Sequence, residues 1–346
     1  MSERGQSFRQ RIEQIEAQYL SPLAVHSYPA HRERPEPDSS HRTPFQRDRD
    51  RIVHSKAFRR LKRKTQVFIA PEGDHYRTRL THTLEACGIA RNVARALGLN
   101  EDLTEAIGYG HDLGHPPFGH IGESVLDRLS VARSGRRFRH NEHSLRIVER
   151  LESANGEADG QPGLNLTAEV RDGILHHTGS GRPATLEGKI VRIVDRVAYI
   201  NHDIDDALRA KILAPGDLPS AEIELLGATG SQRIETLVRD LLVSSEAAGD
   251  IVQTDQVGGA MLRLRKFMFD NVYLGPEARG EHDRVERTLL GLSGHYFENP
   301  EMVPPAADPA DDLTQRVLDY VAGMTDRFCI ASYRAIALPK ESRIGR

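Results

Sequence analysis

The sequence predicts an all-α, mostly helical protein. Apolar residues recur at spacings of three and four along much of the 346-residue chain, which is the period of an amphipathic helix. Alternating runs of β-branched residues are nearly absent, and 65–69 is the best candidate for a short strand. Clusters of proline, glycine and small polar residues separate the helical segments and predict loops at 27–44, 153–166, 214–221 and 293–310.

The first helical segments are expected near 6–19 and 44–61, on either side of the first proline-rich loop. The clearest apolar pattern follows at 79–97. Its predicted apolar face holds Leu84, Cys87, Ala90, Ala94 and Leu97.

Start and stop signals mark the next helix. Asn100 is a good N-cap residue, and two acidic residues follow it in the first turn. Gly114 and two prolines come where a helix would stop. We therefore expect His111 and Asp112 to close this helix.

The rest of the chain also favours helices. Segments near 141–152, 222–243 and 310–333 have the helical period. A long apolar face is formed by Leu186, Ile190, Ile193, Val194, Val197, Ile200 and Ile204.

Composition excludes several classes of protein. The chain has 47 Lys and Arg against 50 Asp and Glu, a net charge of −3. This balance argues against a strongly basic protein that coats nucleic acid and against a protein with a strongly acidic tail. No segment has the roughly 18 consecutive apolar residues of a membrane span. Two cysteines cannot build a disulfide framework, and the first residues lack the apolar stretch of a signal peptide. We expect a cytoplasmic protein.

Four residues suggest a metal site. They are His82, the adjacent pair His111 and Asp112, and the distant Asp195. Adjacent residues on a helix point about 100° apart, but at a helix end both can turn toward one ion. Two imidazoles and two carboxylates suit a divalent ion such as Mn, Mg or Co, with Fe, Zn or Ni as alternatives.

Three motifs contain these residues in the order His, then His-Asp, then Asp. They are RLTHTLE at 79–85, GHDLGHPPFGHIGE at 110–123 and IVRIVDRVAYINHDIDD at 190–206. This order resembles the HD-domain phosphohydrolases. The basic segment 42–68 and the proline-containing GHPPFGH narrow the resemblance to the deoxynucleotide triphosphate triphosphohydrolases. The match covers about 40–205.

The resemblance implies an activity and an architecture. The activity is metal-dependent hydrolysis of dGTP or several dNTPs at the α-phosphorus, which releases the deoxynucleoside and inorganic triphosphate. The expected architecture is an HD-domain fold with helical N- and C-terminal extensions. We divide the chain into a basic N-terminal segment at 1–74, an HD core at 75–206 and a C-terminal helical region at 207–346.

The resemblance also assigns catalytic roles. His120 is the expected catalytic acid, and Glu123, three residues along the same helix, would orient it. His115 is expected to have a catalytic or phosphate-contacting role. The remaining positions implied to bind substrate are Gln66, Val67, Arg79, His140, Arg196, Tyr199, Asp203 and Lys266.

The helix that carries Asp195 places three polar residues on one side. Asp195, Tyr199 and Asp203 are four residues apart, so each step turns the position by only about 40°. By resemblance, Tyr199 and Asp203 recognise the sugar. Tyr199 would exclude a ribose 2′-hydroxyl, and Asp203 would accept a hydrogen bond from the 3′-hydroxyl.

The family implies further partners. A homo-oligomer, either a hexamer or a tetramer, is expected, together with an activating nucleotide. Binding of single-stranded nucleic acid is a secondary expectation, and no membrane association is expected.

Two alternatives stay open from the sequence. One is another HD-type nucleotide phosphohydrolase, such as a nucleotidase or an alarmone hydrolase, that cleaves a different bond. The other is a nucleic-acid-binding protein in which 42–64 follows the phosphate backbone and the metal is structural. The absence of tryptophan makes base stacking on this protein weak.

Overall fold

A computed structural model describes residues 7–66, 77–154, 161–273 and 276–339. The predicted all-α class is confirmed, because the described residues form fifteen α-helices and no strand. The strand candidate at 65–69 gives only an isolated bridge between Thr65 and Thr78, and its last three residues lie outside the described part. No described helix is long and apolar enough to cross a bilayer.

The helices follow one another along the chain. In order they are α1 Phe8–Tyr19, α2 Pro44–His54, α3 Lys56–Arg60, α4 Arg79–Ala96, α5 Glu101–Gly110, α6 Gly119–Ser134, α7 His140–Arg146, α8 Ala168–His176, α9 Leu186–Arg209, α10 Ser220–Leu226, α11 Gly230–Ala248, α12 Asp255–Met268, α13 Pro276–Glu298, α14 Leu313–Ala322 and α15 Asp326–Ala337.

Several predicted helices are interrupted. The segment 44–61 breaks at Ser55, whose side chain accepts a hydrogen bond from the backbone N–H of Phe58 at 3.1 Å and so begins α3. The segments 222–243 and 310–333 are each two helices, and α13 extends to Glu298, inside the predicted loop 293–310. Local apolar spacing predicted these helices, but it did not reveal the short turns between their halves.

The first core cluster is the largest group of buried apolar residues in the described structure. It joins α2, α4, α5, α8 and the first half of α9, and Ile52, Leu103 and Ile190 in it are fully buried. The predicted face of α4 was wrong at Leu84, which is 47% exposed. The predicted Ala90 and Ala94 are buried on the face that packs on α5 and α9, and Val93 is buried beside them.

Two further clusters contain the remaining helices of the core. In one, α6 packs against α13, α14 and α15 around Val125, Leu289 and Val321. In the other, the second half of α9 packs against α10, α11 and α12. The helix α9 therefore belongs to two clusters and passes residue 206. The division of the chain into three regions at residues 74 and 206 stays a prediction.

Candidate active site

The four predicted metal ligands lie together where α4, α5 and α9 meet. His82 Nε2 is 3.0 Å from Asp195 Oδ1, and His111 Nε2 is 3.5 Å from the same oxygen. His111 Nε2 is also 3.7 Å from Asp112 Oδ1. The helix α5 ends at Gly110, one residue before His111, so the pair lies in the turn that follows the helix, where His111 faces Asp195 on α9 and Asp112 faces Arg79 on α4.

The arrangement of protons and charges fits a divalent cation. His111 Nδ1 donates to the carbonyl oxygen of Gly108 at 2.7 Å, so Nε2 is the ring nitrogen that faces Asp112 and Asp195. This nitrogen is buried and makes no hydrogen bond among the described residues. Burial alone would lower the pKa of His111, but the charges of Asp112 and Asp195 raise it to about 9, so the site draws a positive charge, a proton or a cation, to Nε2. The ligand atoms of His82, His111 and Asp112 are close enough to share one ion, and Asp195 lies next to both imidazoles. Two imidazoles and two carboxylates are suitable ligands for a divalent cation.

A second histidine, not predicted from the sequence, orients His82. The Nδ1 atoms of His82 and His202 are 3.5 Å apart, and His202 Nε2 is 3.0 Å from Glu85 Oε2. Burial, then the charges of His82 and Arg77, lower the pKa of His202 to about 3. A neutral His202 that donates to Glu85 accepts from His82 Nδ1. This leaves His82 Nε2 free to face Asp195.

Arg79 is buried one turn before His82. Its guanidinium donates to Asp112 Oδ2 at 2.7 Å, so one carboxylate oxygen of Asp112 pairs with Arg79 while the other faces His111. The structure therefore places Arg79 against the predicted metal ligands.

The turn after Asp112 needs glycine at position 114. A Cβ at Gly114 would lie 2.2 Å from the backbone nitrogen of Ser144. The Gly114 N–H donates to Ser144 Oγ at 2.8 Å, and that hydroxyl donates to the His111 carbonyl at 2.7 Å. The first turns of α7 therefore pack directly on this loop and bring His140 to the site.

Three histidine rings form a second group beside the metal ligands. The rings of His115 and His140 are stacked with centroids 4.1 Å apart, and His120 meets His115 edge-on at 5.3 Å. Burial, reinforced by Arg79 and His140, holds the pKa of His115 well below its usual range. His115 is therefore neutral, and its Nδ1 is buried without a partner in the described structure.

Glu123 pairs more closely with His140 than with His120. Its Oε1 accepts from both the backbone N–H and Nδ1 of His140 at 2.8 Å, whereas Oε2 is 3.6 Å from His120 Nδ1. Burial would raise the pKa of Glu123, but His140 and the hydrogen bonds from both histidines hold it well below its usual range. Glu123 is thus an ionised acceptor shared by two imidazoles.

Both ring nitrogens of His140 have partners inside the protein. Nδ1 lies 2.8 Å from Glu123 Oε1, and Nε2 lies 3.1 Å from His177 Nε2. His177 Nδ1 is 2.8 Å from the Ile174 carbonyl oxygen, and burial lowers the pKa of His177 to about 3. His120 Nε2, by contrast, makes no hydrogen bond within the described part of the chain.

Aromatic and acidic side chains lie on the far side of His120. The rings of Tyr199 and Tyr273 are parallel within 6° and 6.0 Å apart, and the His120 ring is edge-on to both. The Tyr273 hydroxyl donates to Asp203 Oδ2, while Asp203 Oδ1 is buried without a described partner. Burial, then the charge of Asp206, raises the pKa of Asp203 well above its usual range.

A cavity of about 330 Å³ opens between His120 and Tyr199. Arg265 lines it, whereas the predicted ligand Lys266 is 76% exposed and pairs with Asp270 at 2.7 Å. The next residue on a helix points about 100° away, which explains why the structure brings Arg265, and not Lys266, to the site.

Arg196 is partly buried near the site. Burial, then the positive charges of Arg192 and Arg265, lower its pKa. The three guanidiniums together make this region electropositive.

Gln66 is buried, and its Oε1 has no partner in the described structure. Its backbone oxygen lies close to Gly119, immediately before His120. The predicted ligand Val67 lies outside the described residues. Gln66 is therefore brought toward the turn that carries His120.

Most arginines of the basic run 42–64 form ion pairs, such as Arg42 with Asp50 and Arg47 with Glu36. The end of the run has a different environment. Here a cavity of about 800 Å³ is lined by five basic residues of the run and by C-terminal residues. The five are Lys56, Arg59, Arg60, Lys62 and Arg63.

Sequence reasoning missed four residues of this site: His177, His202, Arg265 and Tyr273. His202 had a usable signal, because it lies seven positions after Asp195 and so on a similar side of α9. The others come from α8, α12 and the π-helical turn Phe269–Tyr273, whose positions depend on tertiary packing.

Comparison with known proteins gives the family. The chain matches the HD domain over 79–200 and the phosphohydrolase-associated domain over 251–335. It is 50% identical over 335 residues to a deoxyguanosinetriphosphate triphosphohydrolase-like protein of Caldanaerobacter subterraneus subsp. tengcongensis, covering 96% of each chain. A protein of the same name from Clostridium perfringens strain 13 is 46% identical over 96% of this chain and 98% of its own.

One solved structure, described as a hypothetical protein from Aquifex aeolicus, aligns with a TM-score of 0.46 at 21% identity, over 82% of this chain and 67% of that one.

The two matched domains and the nearly full-length relatives confirm the family inferred from the motifs. The chain is an HD-domain phosphohydrolase and belongs to the deoxyguanosinetriphosphate triphosphohydrolase-like proteins.

Proposed function

We propose that this protein hydrolyses deoxynucleoside triphosphates, dGTP or several dNTPs, to the deoxynucleoside and inorganic triphosphate. The observation that carries the proposal is the position of His120. Its ring lies between the histidine group next to the metal ligands and the Tyr199–Tyr273 pair. The 5′-oxygen joins the phosphate to the sugar, so it would lie between the proposed phosphate site and the proposed sugar site. His120 is in the position from which it could donate a proton to that leaving oxygen.

The residues that would hold the divalent ion are His82, His111, Asp112 and Asp195, and Mn, Mg or Co are the proposed metals. When bound, the ion would neutralise phosphoryl charge and lower the pKa of a coordinated water. Arg79 would hold Asp112 in place through its 2.7 Å ion pair.

The triphosphate would be bound by cations around this cluster. The Arg196 guanidinium supplies positive charge, neutral His115 offers a free ring nitrogen, and the His140 ring is stacked on His115 beside them. Bidentate arginine suits phosphate oxygens. Glu123 would keep both His120 and His140 oriented, since its carboxylate lies next to both rings.

The sugar would lie against Tyr199, with Asp203 and Gln66 as hydrogen-bond partners. Asp203 Oδ1 and Gln66 Oε1 are buried oxygens without described partners, as expected for atoms that pair with a substrate hydroxyl. Tyr199 is packed against Tyr273, so its ring cannot move aside easily to admit a 2′-hydroxyl. Discrimination between deoxyribose and ribose would therefore be strong.

The proposal is tested by product analysis. Metal-free protein is incubated with each dNTP and with GTP, with Mn²⁺, Mg²⁺ or Co²⁺ added in turn, and the products are separated by anion exchange. We expect deoxynucleoside plus triphosphate from dNTPs, much slower reaction with GTP, and no reaction with chelator. Monophosphate plus pyrophosphate, or diphosphate plus phosphate, would contradict the proposal and favour another HD-type phosphohydrolase.

We propose that an activating nucleotide binds the basic cavity at the end of the 42–64 run. Lys62 and Arg63 line it and form no ion pair in the described structure, so their charges are available to phosphates. Arg63→Glu should raise the nucleotide concentration needed for half-maximal stimulation by about tenfold or more, roughly the loss of one charge-assisted contact. The measurement is turnover of one dNTP as a second is titrated in.

The matched control is Arg239→Glu, an exposed charge reversal on α11. Stimulation that is unchanged in Arg63→Glu would place the activator elsewhere. Tight, salt-sensitive binding of oligonucleotides that Arg63→Glu abolishes would instead favour single-stranded nucleic acid as the ligand of this cavity.

A further inference from the structure

A buried carboxylate from the C-terminal region contacts both segments that flank the proposed active site. Asp326, the first residue of α15, is 3% exposed. One of its oxygens, Oδ2, accepts from the backbone N–H of Thr65 at 2.9 Å and from the Thr65 hydroxyl. The other, Oδ1, accepts from the backbone N–H of Phe118 at 3.1 Å.

Phe118 is the N-cap residue of α6, and this helix start is unusual. Phe118 has φ 65° and ψ 24°, a left-handed conformation that residues other than glycine seldom adopt, and its side chain makes no capping hydrogen bond. Gly119 also has a positive φ, 59°. His120 is the next residue, so the direction of its side chain depends directly on this turn.

Thr65 is adjacent to Gln66, the proposed sugar ligand. The backbone oxygens of Thr65 and Gln66 both lie against Gly119, within 3.8 Å of the place where a Cβ would be. A single carboxylate therefore fixes the segment of Gln66 and the turn of His120 relative to each other.

A second buried link runs parallel to the first. The ammonium of Lys64 is buried and donates to the carbonyl oxygens of His115 and Ala322, the latter at 3.0 Å. Burial lowers the pKa of Lys64 to about 7 and raises the pKa of Asp326. The C-terminal helices thus contact the His115–His120 loop through hydrogen bonds as well as through apolar packing around Phe118.

We propose that Asp326 is a positioning residue for the reaction: from the C-terminal helical region it sets the orientation of His120 and its distance from Gln66. This inference rests on the proposed function. It gives α15, which supplies no side chain to the cavity beside His120, a role in the position of the proposed acid.

Asp326→Ala removes both acceptors, and Asp326→Asn keeps one acceptor for Phe118. We expect kcat to fall by about 10²-fold in Asp326→Ala, the usual cost of misplacing a reacting group by about 1 Å, and less in Asp326→Asn. Metal content and KM should change little. If Asp326→Ala does not fold, kcat, KM and metal content are compared between Asp326→Asn and the unmodified protein.

A substrate with a sulfur in place of the bridging 5′-oxygen separates positioning from general damage. A thiolate leaves without needing a proton, so misplacement of His120 should matter less. We expect Asp326→Ala to approach the turnover of the unmodified protein on this analogue while staying slow on the oxygen substrate. An equal loss on both substrates, or no loss on either, would overturn the proposal.

Hydrogen exchange provides a readout that does not depend on activity. Peptides that cover 64–66 and 117–121 should exchange faster in Asp326→Ala, while α5 should not change. The matched control is Asp311→Asn, which alters another buried C-terminal carboxylate that pairs with Arg146 at 2.7 Å. If the unmodified protein gave other products, the proposed function would fail, and local exchange at 117–121 would still decide whether Asp326 anchors this turn. Unchanged exchange there would refute the anchoring.

Discussion

Asp195→Asn is expected to abolish both metal binding and turnover. Asp195 Oδ1 is the atom on which the site converges, because it lies 3.0 Å from His82 Nε2 and 3.5 Å from His111 Nε2. An asparagine oxygen at this place is neutral, and the amide nitrogen that replaces Oδ2 cannot coordinate a cation. The change removes one of only two negative charges among the four proposed ligands.

The expected size of the effect is large. Bound metal should fall from about one ion per chain to a small fraction after dialysis, since structural and catalytic ions depend on a complete ligand set. Turnover should fall by about 10³-fold or more, because Lewis-acid stabilisation contributes several kcal/mol to the barrier. Elemental analysis measures the first quantity, and release of inorganic triphosphate measures the second.

A control on the same helix separates this effect from local unfolding. Asp205→Asn changes a partly exposed carboxylate of α9 that faces Arg77 and Arg233, at 3.8 and 3.7 Å. It should keep its metal and most of its activity. If Asp195→Asn also kept its full metal content, Asp195 would not be a ligand, and the cluster would have to be reassigned to His82, His111 and Asp112 alone.

The sequence predicted those features of the site that depend on local spacing. Asp195, Tyr199 and Asp203 were expected on one side of a single helix because they are four residues apart, and the structure places all three on α9. Asn100 was expected to cap α5, and its side chain accepts from the Leu103 N–H at 3.1 Å. Such features need only helix geometry and capping chemistry.

Features that depend on how distant elements pack could not be predicted in the same way. Glu123 was expected to orient His120, but the placement of α7 on the Gly114 loop gives it a closer partner, His140. His177 reaches His140 only because α8 packs on α7. No local periodicity records these contacts, since each depends on the relative placement of two helices.

His120→Ala is the second change with a large expected effect. We expect kcat to fall by roughly 10²- to 10⁴-fold, the usual contribution of general acid–base catalysis, while metal content and KM stay close to those of the unmodified protein. His120 does not contact the four proposed metal ligands, and its side chain is 40% exposed, so its removal should leave the fold intact. Single-turnover and steady-state assays with dGTP measure the loss.

The contacts of the three histidines explain why His120, and not a neighbour, is the proposed acid. Both ring nitrogens of His140 are engaged, Nδ1 by Glu123 and Nε2 by His177. His115 is held neutral by burial and by the charges of Arg79 and His140. His120 alone among the three has a ring edge facing the cavity beside Tyr199. We therefore expect His140→Ala to raise KM more than it lowers kcat.

The 5′-thio substrate tests directly whether His120 is the acid that protonates the leaving group. If His120 protonates the leaving oxygen, His120→Ala should be slow with dGTP and close to normal with the sulfur analogue, whose leaving group needs no proton. His140→Ala should affect both substrates alike, since a lost phosphate contact does not depend on the leaving atom. A near-normal kcat for His120→Ala with dGTP would transfer the acid role to His115, whose ring lies 5.3 Å from that of His120.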